Sequence, residues 1–221
     1  GLLGVITEVT VKILRSPEVV QAALVGFPSI EDAGNCVAQI IAEGCIPAGM
    51  EIMDKALTKA TNDYSKAGYP TDAEAMMIVE FDGTQHEVEA YIIKVKKIAE
   101  KNNSSSLKIS NSNEERLKFW AGRKAAFPAC GVLAPDYMCM DGSIPRGKLA
   151  EVLNEISKLS KKYGLPVANA FHAGDGNLHP LIMFDANNKE SLKKCEEFGA
   201  DILKYCVKVG GALTGEHGVG I

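Results

Sequence analysis

The chain has 221 residues, 46% of them hydrophobic and 24% charged, enough for one large domain or two small ones with an ordinary core. A net charge of −4 and a pI near 5.7 argue against a nucleic-acid partner, which calls for a basic surface. No apolar run reaches the length of a membrane span and no signal peptide is visible, so the expectation is a protein that is not integral to a membrane.

Residues 4–14, GVITEVTVKIL, alternate apolar and polar with β-branched enrichment and predict a strand. QAALVGF at 21–27 predicts a second. Pro28 and Ser29 then open a helix to about Glu43, with Ser29 as N-cap and Asp32 three residues on; Gly44 ends it. A short strand is expected over Ala48–Lys55, and Asp54 caps a helix to about Lys66. AGYPTDAE is a loop, and EAMMIVEFD at 74–82 reads as a central strand. Val88, Tyr91, Ile92, Val95 and Ile98 mark a helix over His86–Lys101, and a strand follows at Leu107–Ser110. Asn113, Glu114 and Glu115 suit the first turn of a helix over 112–128. A strand at Tyr137–Ile144 is interrupted at Asp141-Gly142, and Pro145 starts a helix to about Tyr163. PVANAF and PLIMF read as two buried strands, and a helix runs from about Lys189 to Val209 before the Gly210-Gly211 break. The order suggests an α+β fold, a ferredoxin-like antiparallel sheet with flanking helices. No internal repeat is visible. The six cysteines form no CxxC pair and sit in apolar stretches, which predicts buried, reduced thiols and a reducing compartment.

Chemistry concentrates in two segments, FHAGDGNLH at 171–179 and TGEHGVG at 214–220. They hold three of the four histidines, His172, His179 and His217, with Asp175 in the first segment and Glu216 in the second. Imidazoles and carboxylates presented by glycine turns are what a divalent cation needs. A hairpin decorated by histidines is the plainer reading, since Asp-Gly and Gly-Asn favour turns.

HAGDGNLH followed by GGALTGEHGVG closely resembles the C-terminal half of the flavin-linked 2-hydroxy acid oxidoreductases. That family includes the glycolate oxidase catalytic subunit, D-lactate dehydrogenase and D-2-hydroxyglutarate dehydrogenase. GVITEVTVKIL, MEIMDKAL, MIVEFDG, FWAGRKAAFPA and PDYMCMDGSIPR resemble family segments in family order. The resemblance implies the substrate-binding, or cap, domain of a flavin-linked oxidase. Residues 1–14 would be the terminal strand of a flavin-binding domain that lies outside this sequence, with Gly4, Val5 and Ile6 touching FAD. Residues 15–221 would be the substrate domain, cut short at its C-terminus. The implied setting is a bacterial cytoplasm, free or peripheral to the membrane, with the flavin domain and electron-transfer subunits as partners.

Oxidation of a small D-2-hydroxy acid such as glycolate or D-lactate requires a grip on the carboxylate, an acceptor for the hydroxyl proton and an acceptor for the hydride. His172, His179 and Glu216 match the three-ligand count of a catalytic metal site, and the resemblance places ligands there; zinc, manganese, iron and cobalt all suit such ligands. His217 suits a general base, or else a fourth ligand or a turn residue. Arg123 offers a bidentate fork to the substrate carboxylate, its plain alternative being a solvated helix charge. Asn177 either bonds substrate or completes the turn. Asp175 is assigned to the turn, Arg146 to a first-turn surface, His86 to an exposed helix face. Two other functions compete: a metal-dependent hydrolase, disfavoured by the lack of an HExxH helix, and a non-catalytic ferredoxin-like module.

Overall fold

Residues 4–218 are described by the computed structural model; residues 1–3 and 219–221, which include the last two of the second histidine segment, fall outside it. Seven strands build one antiparallel sheet: β1 (Val19–Phe27), β2 (Gly49–Asp54), β3 (Ala75–Gly83), β4 (Ser106–Ile109), β5 (Asp136–Cys139), β6 (Val167–His172) and β7 (Asn177–Phe184), in the spatial order β4-β1-β3-β2-β6-β7-β5. Seven helices flank it: α1 (Ile30–Ala42), α2 (Lys55–Ser65), α3 (Gln85–Lys101), α4 (Asn113–Lys124), α5 (Ala126–Ala129), α6 (Leu149–Tyr163) and α7 (Lys189–Lys208). On one face α1, α3, α6 and α7 bury their apolar stripes, with Val37, Val95, Ile156 and Phe198 among the enclosed residues. On the other, Leu57 of α2, Phe119 of α4 and Ala126 of α5 cover Leu24, Met53, Ile78 and Leu181. β3 is covered on both faces, so Met76 to Val79 are all fully buried and the strand reads as an unbroken apolar run.

The local signals act as expected. Ser29 Oγ accepts from Asp32 N at 3.0 Å and Asp54 Oδ1 from Leu57 N at 2.9 Å, while Thr84 and Glu87 form a reciprocal capping box at the head of α3. The cap of α4 is Ser112, the first residue of the expected span, and the helix breaks at Ala125.

β1–α1–β2 and β3–α3–β4, ordered β4-β1-β3-β2, form the ferredoxin-like unit, with α2 set into the β2–β3 connection. β5–α6–β6–β7–α7 repeats the first five elements of that unit, and the two halves meet back to back where β2 pairs antiparallel with β6. A structural repeat is therefore present where the sequence shows none, because a layer arrangement survives the loss of residue similarity.

Residues 4–14 correct a second expectation. They form no strand: Val5, Ile6, Val9, Val11, Ile13 and Leu14 are 70–88% exposed. Alternation supplies a face, but a strand exists only when a neighbour takes its backbone hydrogen bonds, and none of the described residues does so. Cys139 is only partly buried, whereas the other five thiols are buried.

Candidate active site

The site lies on the α2/α4/α5 face, where β6 turns into β7. Side chains alternate along each strand, so Glu51 shares a face with Met53, His172 with Ala170, His179 with Leu181, and Cys139 packs on the same cluster. Register sets Glu51 opposite His172, Ala170 opposite His179 and Leu181 opposite Cys139. Glu51, His172, His179 and Cys139 thus form a diagonal row across four neighbouring strands.

Ala173–Gly176 close the β6–β7 hairpin, with the Asp175 and Gly176 amides donating to His172 O at 3.1 and 3.0 Å. Gly176 has φ +77°, and a Cβ there would overlap Ile144 O; only glycine fits. The second segment reaches the site through Ala212, which bridges Ser143, and through Asp141. The Asp141 carboxylate accepts from Thr214 Oγ1 at 2.5 Å, Gly215 N at 3.0 Å, Glu216 N at 3.0 Å and His217 N at 2.8 Å. Burial pushes this carboxyl up, but those donors outweigh it and hold it down to about 2. Asp141 is the clasp that fixes Glu216 and His217 over the sheet.

Glu216 Oε1 then stands 3.0 Å from His179 Nε2, 3.5 Å from His172 Nε2 and 3.7 Å from His217 Nε2. The His179 ring meets His172 edge-on and stacks on His217, both at 5.0 Å between centroids, with Phe127 at 6.2 Å. Burial, then the charge on His172, lowers the His179 pKa, which keeps the ring neutral and suited to a cation. Its Nδ1 and the Oδ1 of Asn177 are buried without a hydrogen-bond partner. One carboxylate oxygen among three imidazole nitrogens fits a divalent cation. Asp141, His179, Glu216 and His217 each place a donor atom within 4.8 Å of the others, and so do Cys139, His179 and His217.

Behind His172 lies Glu51, which the sequence reading missed. Its Oε1 accepts from His172 Nδ1 at 2.6 Å, fixing the tautomer that turns Nε2 toward Glu216, and this bond raises the His172 pKa. Its Oε2 accepts from Arg123 Nε at 3.1 Å, with Arg123 Nη2 at 3.0 Å but out of line. Arg123 is therefore buried against a carboxylate of its own chain, not a solvated helix charge. The signal for Glu51 was present: a lone acid inside the apolar strand GMEIMD must find a partner. Asp141 gave a weaker one, standing only as an interruption of the strand expected over Tyr137–Ile144. Asp175 lies in the turn, and His86 and Arg146 are exposed, as expected; Arg146 also donates to Gly174 O at 3.2 Å.

Gly4, Val5 and Ile6 are exposed, and a Cβ at Gly4 would meet nothing within 4 Å; they enclose no flavin by themselves. A cleft of about 210 Å³ runs beside Glu51 and His172, lined also by Met50, Arg146 and Asp175. A wider one of about 430 Å³, between Ser29, Ser157 and Asn169, holds none of these site residues.

The sequence signature of the FAD linked oxidases, C-terminal domain, matches residues 16–221. The chain belongs to this family. Over 220 residues it is 50% identical to "Glycolate oxidase subunit GlcD" of Escherichia coli (strain K12), covering 100% of this chain and 44% of the relative. The same subunit of Bacillus subtilis (strain 168) is 34% identical, over 100% and 47%. "D-lactate dehydrogenase [cytochrome], mitochondrial" of Arabidopsis thaliana is 32% identical over 222 residues, 100% and 39%. The chain spans less than half the length of these relatives. Among solved structures, p-cresol methylhydroxylase with substrate bound matches with a TM-score of 0.65 at 15% identity, over 89% of this chain and 45% of that one. The isoeugenol complex of 4-ethylphenol oxidase from Gulosibacter chungangensis matches at 0.64 and 11%, over 90% and 46%. At such identities these two share the FAD-linked oxidase fold and nothing finer.

Proposed function

We propose that the chain is the substrate domain of a flavin-dependent oxidoreductase that converts a small D-2-hydroxy acid, glycolate or D-lactate, to the 2-oxo acid. The observation that carries this reading is the convergence of three imidazole nitrogens on Glu216 Oε1 within 3.7 Å. His172, His179 and Glu216 are the ligands, of zinc, manganese or iron. A divalent cation held by these residues would supply Lewis-acid chemistry that lowers the pKa of the substrate hydroxyl. FAD is the hydride acceptor, seated mainly in a domain outside this sequence.

His217, beside Glu216 and 45% exposed at its side chain, takes the hydroxyl proton at Nε2 as C2 loses its hydride. Asn177, backed by Gly215, offers its amide to the substrate. Arg123 spends its Nε edge on Glu51 and keeps further donors for the substrate carboxylate. The absence of a cation along Tyr137-Met138-Cys139-Met140 fits a monoacid. Residues 1–14 belong to the flavin side and residues 15–221 to the substrate domain. The exposed apolar residues of that first segment support this, because such a run calls for a cover. Among the described residues no helix is long and apolar enough to cross a membrane. The relatives' designation as oxidase subunits supports electron-transfer subunits as partners.

Elemental analysis of the purified protein and of His179→Ala tests the metal. Wild type should hold about one equivalent and the variant little; equal contents refute the ligand set. Dye reduction with glycolate and D-lactate, after mixing with the flavin domain, tests the reaction.

A further inference from the structure

Cys139 is the one thiol of the chain that is not fully buried, and it stands in the active-site row. It ends β5 opposite Leu181, so it shares a sheet face with His179 on the neighbouring strand. Its Sγ donates to Met140 O at 3.4 Å, a weak bond that leaves the sulfur lone pairs uncommitted. The His217 ring lies parallel to that of His179, 6° apart in plane. One sulfur and one nitrogen from each of the two rings fall within 4.8 Å of one another.

Around a tetrahedral ion, with metal–sulfur and metal–nitrogen bonds of about 2.3 and 2.0–2.1 Å, neighbouring donors stand roughly 3.3–3.6 Å apart. The Cys139–His179–His217 trio therefore needs a contraction of at most about 1.5 Å, within rotamer reach for His217 on its exposed loop. The trio differs in kind from His172, His179 and Glu216. Two nitrogens and a carboxylate suit manganese, iron or zinc; two nitrogens and a thiolate favour thiophilic ions.

We infer that Cys139, His179 and His217 form a second, sulfur-containing metal site that shares His179 with the first, and that a thiophilic divalent cation such as cadmium or zinc bound there blocks turnover by capturing His217. Binding exchanges the thiol proton for the metal: the S–H bond breaks, a metal–sulfur bond forms and the proton leaves to solvent. The nitrogen lone pair of His217 is then engaged and cannot take a proton from substrate. The blocking clause rests on His217 being the base, as proposed above; the binding clause does not.

The test titrates cobalt(II) into the metal-free protein and follows the intense near-ultraviolet thiolate-to-cobalt charge-transfer band, which a site of nitrogen and oxygen ligands lacks. The band is expected in wild type and in His172→Ala, where the first ligand set is broken. It should vanish in Cys139→Ser and in Cys139→Ala, with folding confirmed by circular dichroism. No band in wild type, or a band that persists in both Cys139 variants, overturns the site. Inhibition by cadmium is then measured in the flavin-reconstituted enzyme, each protein against its own uninhibited rate. Half-inhibition in Cys139→Ser should need on the order of tenfold more cadmium or beyond; equal sensitivity overturns the blocking role. If no 2-hydroxy acid is oxidised at all, the functional reading fails, while the cobalt band still reports on the site.

Discussion

Replacing Asp141 by Asn should loosen the clasp that holds Glu216 and His217. The side chain is nearly isosteric, so the perturbation is the loss of one negative charge facing four donors of residues 214–217. The carboxyl is held at about 2 against an ordinary 3.8. That difference corresponds to about 2 kcal/mol of folded-state stabilisation near neutral pH. For a chain of this size it is a fall of about 4–8 °C in Tm. The segment is largely exposed and can release without unfolding the sheet, which makes that figure a ceiling. The sign follows from the depressed pKa. The stabilisation is complete above the ordinary value near 3.8 and is lost as pH falls toward about 2, so about half should remain at pH 3. Thermal melts of wild type and Asp141→Asn at pH 7 and pH 3, with metal content by elemental analysis, make the assay. A variant within about 1 °C of wild type at pH 7 that also keeps its full metal content refutes the clasp. So does a deficit at pH 7 that does not shrink at pH 3.

Glu51→Gln leaves Arg123 buried and uncompensated and should cost about 3–5 kcal/mol in urea denaturation. Adding Arg123→Met should recover much of it, whereas simple additivity of the two single costs would show that the pair is not coupled. In the metal-free protein, the imidazole proton resonances should titrate above the ordinary 6.5 for His172, through its bond to Glu51, and below it for His179, through burial. His172 then contributes stability that is full below 6.5 and fades as pH rises through its raised value, while the His179 contribution is full above 6.5 and fades as pH falls; coincident midpoints would dismiss this arrangement. Gly176→Ala should cost at least about 2 kcal/mol, from its left-handed backbone and the overlap with Ile144 O. Gly131→Ala, where a Cβ meets nothing within 4 Å, serves as the near-neutral control, and equal effects of the two would contradict the packing described.

The sequence by itself determined what is local. Caps at Ser29 and Asp54, the helical spacing of Val88 to Ile98, and the apolar run of β3 each specify an element through neighbours a few residues away. The hairpin between His172 and His179 was legible for the same reason, since its turn chemistry lies within four residues. The tertiary structure alone decided which elements touch. Glu51 meets His172 across 121 positions of chain because β2 pairs with β6, and no periodicity within either strand encodes that register. Asp141 reads as a break in a strand until the loop after α7 folds onto it, and Cys139 reads as a core thiol until β5 takes the edge beside β7. The failed strand at residues 4–14 makes the converse point. Its alternation is a local property, but a β-strand is a relation between two segments, and the partner must be supplied by the fold.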